Sequence, residues 1–369
     1  YVDNSISGVD YTYTLGGTLR MFDMLTLRGG YTQSIRAPGI QELFDPIVAI
    51  TGFITDPCDS RFVGQGPDGG NANSNRIRNC AALGIPTDHT NISTNLSIAG
   101  VSSGNRELNN ETGKSYSVGF VFEPEEYVPG FSISVDYINV KIEDRISNIT
   151  QNNAIASCFD ADLFGQDICN AHTRDANFQI VGFSTGFQNA SSSEFEAVQI
   201  NSRYDFSIAD ALGLVSSDMA NGEYGDFSIR VGAFRRITDV FQVLADSPRV
   251  NRVGAGGREK WTGNLDFVYS NDKFRLFWRM NYTSRLDLDT QDLPANSFLD
   301  ADGNSIDSLN DKYIHNATIS YQLTDSVNVS GTVNNVFARK PTITELAYGN
   351  FLFTEQFGRA FRFNFRAAF

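Results

Sequence analysis

The sequence predicts an all-β chain, a transmembrane antiparallel β-barrel of which about eleven strands are present, and three observations carry that prediction. The first is the ending F-R-F-N-F-R-A-A-F. It puts Phe361, Phe363, Phe365 and Phe369 on one side of a strand and Arg362, Asn364 and Arg366 on the other, because successive strand side chains point to opposite faces. The second is that the same two-faced alternation recurs from one end of the chain to the other. The third is a strict exchange of short turns and long polar loops, which a soluble β-sandwich has no reason to adopt and an outer-membrane barrel does.

Taken in order, residues 9–21 alternate Val9, Tyr11, Tyr13, Leu15, Leu19 and Met21 against Asp10, Thr12, Thr14, Thr18 and Arg20. Phe22 and Asp23 reverse the chain into 24–36, a tight hairpin. Strands follow at 112–122 and 131–145. The second changes phase after Tyr137, where either a bulge sits or the strand leaves the bilayer and loses its need for an apolar outer face, the second being favoured. Strands at 194–207, 226–238, 259–270, 274–286, 312–323, 327–337 and 361–369 complete the set. Turns at 22–23, 123–130, 271–273 and 324–326 are short, and the connection at 208–225 is longer than its class predicts. Loops at 37–110, 146–193, 239–258, 287–311 and 338–356 are long and expected to be extracellular, with the C-terminus periplasmic.

Chemistry separates the two faces. Tyr137, Tyr204, Trp261, Tyr269, Tyr282 and Tyr321 lie near strand ends and suit interfacial girdles. Arg20, Arg28, Arg36, Arg203, Arg230, Arg275, Arg279, Arg362 and Arg366 share the other face, which suits a wet lumen far better than a dry core. No stretch approaches the roughly 18 apolar residues of a membrane-spanning helix. A net charge of −14 argues against nucleic acid as a partner. The first residues, Y-V-D-N-S, do not form a signal peptide, so the chain is expected to be mature, a fragment, or both. Eleven strands cannot close a bacterial barrel, whose strand number is normally even, and an open edge in lipid is costly. The chain is therefore expected to be the C-terminal part of something larger.

Several motifs resemble those of TonB-dependent outer-membrane receptors. Ser34-Ile35-Arg36-Ala37-Pro38, continuing through Glu42-Leu43-Phe44-Asp45-Pro46, is similar to the family signature S-x-R-A-P-x-x-x-E-L-F-x-P. Leu108-Asn109-Asn110-Glu111-Thr112 resembles its L-x-P-E-T, with Asn where Pro is usual. Pro129-Gly130-Phe131 through Tyr137, Asn334-Asn335-Val336-Phe337-Ala338-Arg339-Lys340-Pro341 and Gln356-Phe357-Gly358-Arg359 follow in the family's order. The resemblance implies a barrel of about 22 strands closed around a plug, with residues 1–369 its C-terminal part. It also implies energised import of a scarce ligand: an oligosaccharide or other organic nutrient, or a ferric siderophore. Neither a plug domain nor a TonB box is visible, so coupling to the TonB–ExbB–ExbD complex is implied by family alone. Lipid, lipopolysaccharide and the barrel assembly machinery are the other implied partners. The alternatives are a passive porin-like channel and a binding or adhesin barrel.

Four cysteines fall two to a loop, Cys58 with Cys80 and Cys158 with Cys169. In an oxidising compartment they suit disulfides; three pairings are possible and the local one is favoured, at about 3 kcal/mol per staple. Asp300, Asp302 and Asp307 weakly echo a Ca²⁺ loop, and a solvated turn suits them better. Candidate ligand-binding residues are Arg28, Arg36, Arg230 and Arg279 on the lumenal face and Phe53, Tyr348, Phe351 and Phe353 in the loops, whose rings suit stacking on sugars or covering a hydrophobic ligand and equally suit packed loop cores. The arginines have a second reading, ion pairs with the plug or with Asp136, Asp205 and Asp266. No catalytic motif and no cofactor signature is present.

Overall fold

The alternating segments pair as their faces require. The computed structural model describes residues 2–4, 8–66, 74–165, 167–213, 215, 222–242, 249–255, 257–287, 308–342, 345 and 357–368. Besides five short pieces of two or three residues, its strands are β1 (Tyr13–Phe22), β2 (Leu25–Arg36), β3 (Val48–Gly52), β4 (Ile98–Ser103), β5 (Glu111–Phe122), β6 (Phe131–Ile149), β7 (His172–Arg174), β8 (Ile180–Ser207), β9 (Asp226–Gln242), β10 (Trp261–Ser270), β11 (Phe274–Thr283), β12 (Lys312–Thr324), β13 (Val327–Asn334) and β14 (Ala360–Ala367). Helices α1 (Ile40–Phe44), α2 (Asn75–Ala82), α3 (Gln151–Asp160) and α4 (Ile208–Gly213) lie in the connections.

Eleven of these strands form one continuous antiparallel wall in the order β1-β2-β5-β6-β8-β9-β10-β11-β12-β13-β14. Every neighbour in that order is the next long strand in the sequence, the up-and-down arrangement that short turns enforce. Among the described residues β14 pairs only with β13, from Val327 opposite Ala367 to Asn334 opposite Ala360. Among the described residues no helix is long and apolar enough to cross a membrane.

Register fixes the two faces, because residues directly opposite in a ladder point the same way. Arg28, Gly119, Asp136 and Gln199 form one such row across β2, β5, β6 and β8. Arg203, Arg230, Asp266, Arg279 and Asn316 form another on the same side across β8 to β12. The opposite side carries two bands of rings. Near the turns, Phe131, Tyr204, Phe206, Phe227 and Phe267 touch in series, with centroids 5.0 to 6.3 Å apart. Toward the loops, Tyr13 with Tyr31, Tyr116 with Tyr137 and Tyr282 with Tyr313 repeat the pattern at 5.9, 5.8 and 5.1 Å. On β14, Phe361, Phe363 and Phe365 are 62%, 83% and 69% exposed on this aromatic side; Phe369 lies outside the described residues.

The phase change in β6 has a clear origin. Pairing between β6 and β8 runs from Phe131 opposite Tyr204 to Ile149 opposite Gly186 with no register shift, so there is no bulge after Tyr137. The aromatic side simply becomes polar beyond it, with Asn139, Lys141 and Glu143 in the outward positions. The nearest register shift is on β9, between the partners of Glu196 and Ala197, where Ile237 is the extra residue.

Several boundaries differ from the sequence reading. The strand expected at 9–21 begins at Tyr13, and Gly8–Asp10 instead pairs with Val2–Asn4 as a separate hairpin. The loop expected at 146–193 is shorter, since β6 runs to Ile149 and β8 begins at Ile180. The reason is that ladder pairing holds these strands past the aromatic band without apolar alternation, β6 along β8 to Ile149 and β8 from Ile180 along β7 and β4. Similarly β9 extends to Gln242. The long connection at 208–225 contains α4.

Candidate ligand-capture cap and arginine face

The signature motif builds a clamp at the loop end of the wall. Arg36, the last residue of β2, donates through Nε and a terminal nitrogen to Glu111 at 2.7 and 2.9 Å, and to Glu42 at 2.9 to 3.1 Å. Glu42 in turn accepts the Gly39 N–H at 2.6 Å, and Glu111 accepts the Ile146 N–H at 2.6 Å. One guanidinium thereby ties β2, α1, β5 and β6 together. The apolar residues of the same motifs sit beside it, where Leu43, Leu108 and Ile146 are buried with Phe187 against them. Burial raises Glu42 but the Arg36 and Gly39 hydrogen bonds outweigh it, leaving its carboxyl below the usual range. Sequence reading proposed Arg36 for ligand; the structure occupies its guanidinium with two carboxylates.

Loops 37–110 and 146–193 fold together into one cap with its own apolar core. Ile54, Ile155, Phe159 and Ile180 are almost wholly buried in it, along with Cys58, Cys80 and Cys158. The pairs are local: Cys58 with Cys80 and Cys158 with Cys169. Helices α2 and α3 meet through polar groups that would be costly if unpaired. Asn79 Nδ2 donates to the carbonyls of Phe159 and Ala161 at 2.9 and 2.8 Å, and Arg76 grips Asp160 at 2.6 and 2.7 Å. Ser74 and Thr150 cap the two helices through their hydroxyls. Beneath them β3, β4, β8 and β7 form a small sheet in which β4 runs parallel to β8. Gly100 is required there, since a Cβ would come within 2.5 Å of the Phe183 ring.

Electrostatics lock the cap further. Arg174 binds both oxygens of the fully buried Asp56 at 2.6 Å, and Asn91 Nδ2 donates to the same carboxylate at 2.8 Å. Burial alone would raise Asp56; Arg174 and the N–H donors outweigh it and hold it below its ordinary value. Asp59, also desolvated, is held down to about 2 by Arg61 and by backbone N–H groups. His172 packs on Phe159 at 5.7 Å, and burial with the nearby Arg174 charge pushes its pKa down to about 4. Phe53, by contrast, stands on the cap surface, 58% exposed.

The arginine face is largely self-neutralised. Arg28 reaches across β5 to Asp136 at 2.7 and 2.5 Å. That reach depends on Gly119, where a Cβ would lie 2.3 Å from Asp136 Oδ1 and 2.5 Å from the Val135 carbonyl. Arg279 pairs with Asp266 at 2.7 and 2.6 Å, and Arg203 with Asp205 on its own strand. Arg230 stands directly opposite Arg203, with its Nε 3.3 Å from Ser228 Oγ. These four arginines border a hollow of about 490 Å³ together with Ser132, Asn201 and Asn264. The structure thus brings Arg28, Arg230 and Arg279 together on the wall, puts Arg36 in the clamp and Phe53 on the cap. Tyr348, Phe351, Phe353, Asp300, Asp302 and Asp307 lie outside the described residues. Among the described residues no group of three or more His, Cys, Asp or Glu is placed to hold a metal ion. Sequence reading missed Glu42 and Glu111 as clamp residues and Gly119 as a gap, although both glutamates stand in the motifs it quoted.

An antiparallel wall with one aromatic-banded face, one arginine face and, apart from 208–225, its long loops at one end defines an outer-membrane β-barrel. The family model described as TonB dependent receptor-like, beta-barrel matches residues 2–336, and the chain belongs to that family, one of receptors and not of enzymes. Among solved structures it is similar to the siderophore receptor PirA from Acinetobacter baumannii, with 14% identity, a TM-score of 0.57, and coverage of 99% of this chain and 42% of that one. It is also similar to the ferric enterobactin receptor PfeA from Pseudomonas aeruginosa in complex with enterobactin, at 12% identity, TM-score 0.52, and coverage of 91% and 36%. The chain thus spans about two-fifths of the length of these receptors. No curated protein matches it.

Proposed function

We propose that this chain is the C-terminal part of a receptor barrel of about 22 strands that imports a scarce extracellular ligand across the bacterial outer membrane with energy from the TonB–ExbB–ExbD complex. The observation that carries this reading is the cap: two loops, each stapled by its own disulfide, that share one apolar core and are joined by the Arg76–Asp160 and Arg174–Asp56 ion pairs on a wall of paired strands. A passive pore gains nothing from such a body, whereas a receptor gains a preorganised capture surface. In this reading the loops are extracellular, the C-terminus is periplasmic, and the barrel assembly machinery inserts the chain. Phe53 supplies a stacking ring on the cap. On the lumenal wall, Arg230 is the member of the arginine group best placed for an anionic ligand, while Arg28 and Arg279 hold the wall and Arg36 positions the cap. The ligand is an oligosaccharide or other organic nutrient, or a ferric siderophore.

The test is uptake by cells producing the full-length receptor, supplied in turn with labelled oligosaccharides and ferric chelates. Accumulation of one ligand class that disappears when TonB is deleted supports the reading. Steady ion conductance of the purified protein in planar bilayers, with TonB-independent uptake, overturns it. Unchanged ligand binding after removal of the segment 37–110 overturns the capture role of the cap.

A further inference from the structure

On the arginine side of the wall, toward the loops, lies an apolar strip that a wet lumen does not call for. Register places two rows there. Thr32, Ser115, Val140, Phe195 and Asp239 stand side by side across β2, β5, β6, β8 and β9. Ser34, Gly113, Ile142, Ser193 and Phe241 form the next row toward the loops. Both rows share the face of Arg28 and Asp136, because an even number of residues separates them along β2 and β6. The side chains on β2 and β5 are small and leave a trough. Val140, Ile142 and Phe195 form its wall, each only partly buried, and Phe195 stacks on Phe234 at 6.1 Å. The interior of such barrels is polar, and an apolar patch on a wet surface marks a place where an apolar body sits.

The far edge of the trough gathers cations. One carboxylate, Asp239, is approached by Arg252 at 2.8 Å, Arg258 at 3.3 Å and Arg236 at 3.7 Å. Arg145 has no carboxylate partner among the described residues; its guanidinium stands 5.5 Å from the centre of the Phe241 ring, and that of Arg252 stands 5.2 Å from it. The buried Nε groups of Arg236 and Arg252 donate no hydrogen bond. Glu194 and Glu196 on β8 belong to the opposite face, where Arg249 and Thr238 engage them. We propose that the trough binds an amphipathic organic anion, its hydrocarbon or aromatic body over Val140, Ile142 and Phe195 and its carboxylate turned to Arg145 and Arg252. Two strand spacings separate β6 from β9, about 10 Å, which suits a pair of fused rings between the apolar wall and the guanidinium groups. This names a ligand class for the receptor proposed above and rests on the reading of this face as lumenal.

Purified full-length receptor in lipid nanodiscs would be titrated calorimetrically with 2-naphthoate, with the neutral 2-naphthamide and with acetate, empty nanodiscs serving as the blank. The expected result is 2-naphthoate binding at least tenfold tighter than the amide, and no measurable binding of acetate. Arg145→Gln with Arg252→Gln should abolish the preference for the acid, and Arg145→Lys with Arg252→Lys should keep it. Val140→Asn should weaken acid and amide alike, by about tenfold. Heat-modifiable gel mobility confirms that each variant is folded. In the ligand-free receptor a Phe241→Cys thiol should react with a maleimide, and 2-naphthoate should slow that reaction. Equal affinity for acid and amide, an unchanged preference in the Gln variant, or a thiol already shielded by another segment of the receptor would overturn the assignment. These are equilibrium readouts, so TonB-independent uptake, which overturns the receptor reading, leaves them standing. Failure of 2-naphthoate to bind leaves TonB-driven import of a different ligand intact.

Discussion

At the scale of single residues, the structure turns motif letters into contacts. Arg36 is held by two carboxylates from different segments, so Arg36→Gln leaves Glu42 and Glu111 facing each other without a cation. With the guanidinium partly exposed, the loss is expected to be about 1–2 kcal/mol, seen as faster protease cleavage within 37–110 while the membrane strands stay folded. Gly119 carries a different constraint. A valine favours strands, yet Gly119→Val collides with Asp136 and the Val135 carbonyl and severs the Arg28 pair. It should destabilise the barrel by about 1–3 kcal/mol, read as a lower temperature of gel-mobility shift; a rise instead would show that the wall tolerates a side chain there.

His172 gives the cap a pH dependence whose sign follows from its depressed value. The folded histidine titrates at about 4 and the unfolded one near 6.5. As pH falls, the unfolded chain takes up the proton first, so the stabilisation is complete above 6.5 and lost between 6.5 and 4, by at most about 3 kcal/mol. Asp59 follows the carboxylate rule and gives up its share as pH drops from 3.8 toward 2. Protection factors of the cap amides, corrected for the slower intrinsic exchange at low pH, should therefore fall in two stages on acidification, and His172→Phe should remove the first.

At the scale of elements, the cap and the wall are stabilised by different physics. The cap has a buried apolar core and crosslinks, so Cys158→Ser with Cys169→Ser is expected to cost it about 2–4 kcal/mol without shifting the gel mobility of the strands. The wall has no such core and depends on its outward side chains matching lipid. On β14, Phe363→Arg puts a cation against hydrocarbon and should cost about 2–4 kcal/mol in refolding into lipid vesicles. Asn364→Arg, one residue away on the arginine face, should be close to neutral. Equal effects from the two would contradict the assignment of faces.

At the scale of the whole molecule, charge is segregated in a way the net value of −14 hides. On the arginine face from β11 to β14, Arg275, Arg362 and Arg366 stand with Arg279, which pairs with Asp266 of β10, and among the described residues of those four strands the same face bears no carboxylate. The anionic excess lies in loops and connections. If the loops are extracellular and this face is lumenal, as proposed, acid lies outside and the cations not paired on the wall lie within, which favours inward movement of an anionic ligand. Uptake of a ferric chelate would accordingly weaken at high ionic strength, measured as a fall in initial rate.

The sequence by itself determined the number of wall strands, which face of each meets lipid, the separation of short turns from long loops, and the family. All of these follow from a period of two and from turn chemistry, which are local properties. It also placed the cysteine pairs, because each pair lies within one loop. What only the tertiary structure decided are relations between segments far apart in sequence. Examples are the clamp joining Arg36 to Glu111, the reach of Arg28 over Gly119 to Asp136, the shared core of two loops, and the continuation of β6 and β8 past the aromatic band. No periodicity records them, since a loop core is assembled from irregular backbone and an ion pair across a strand depends on register. Where one solvent imposed a repeating pattern, the sequence was readable; where packing chose the partners, it was not.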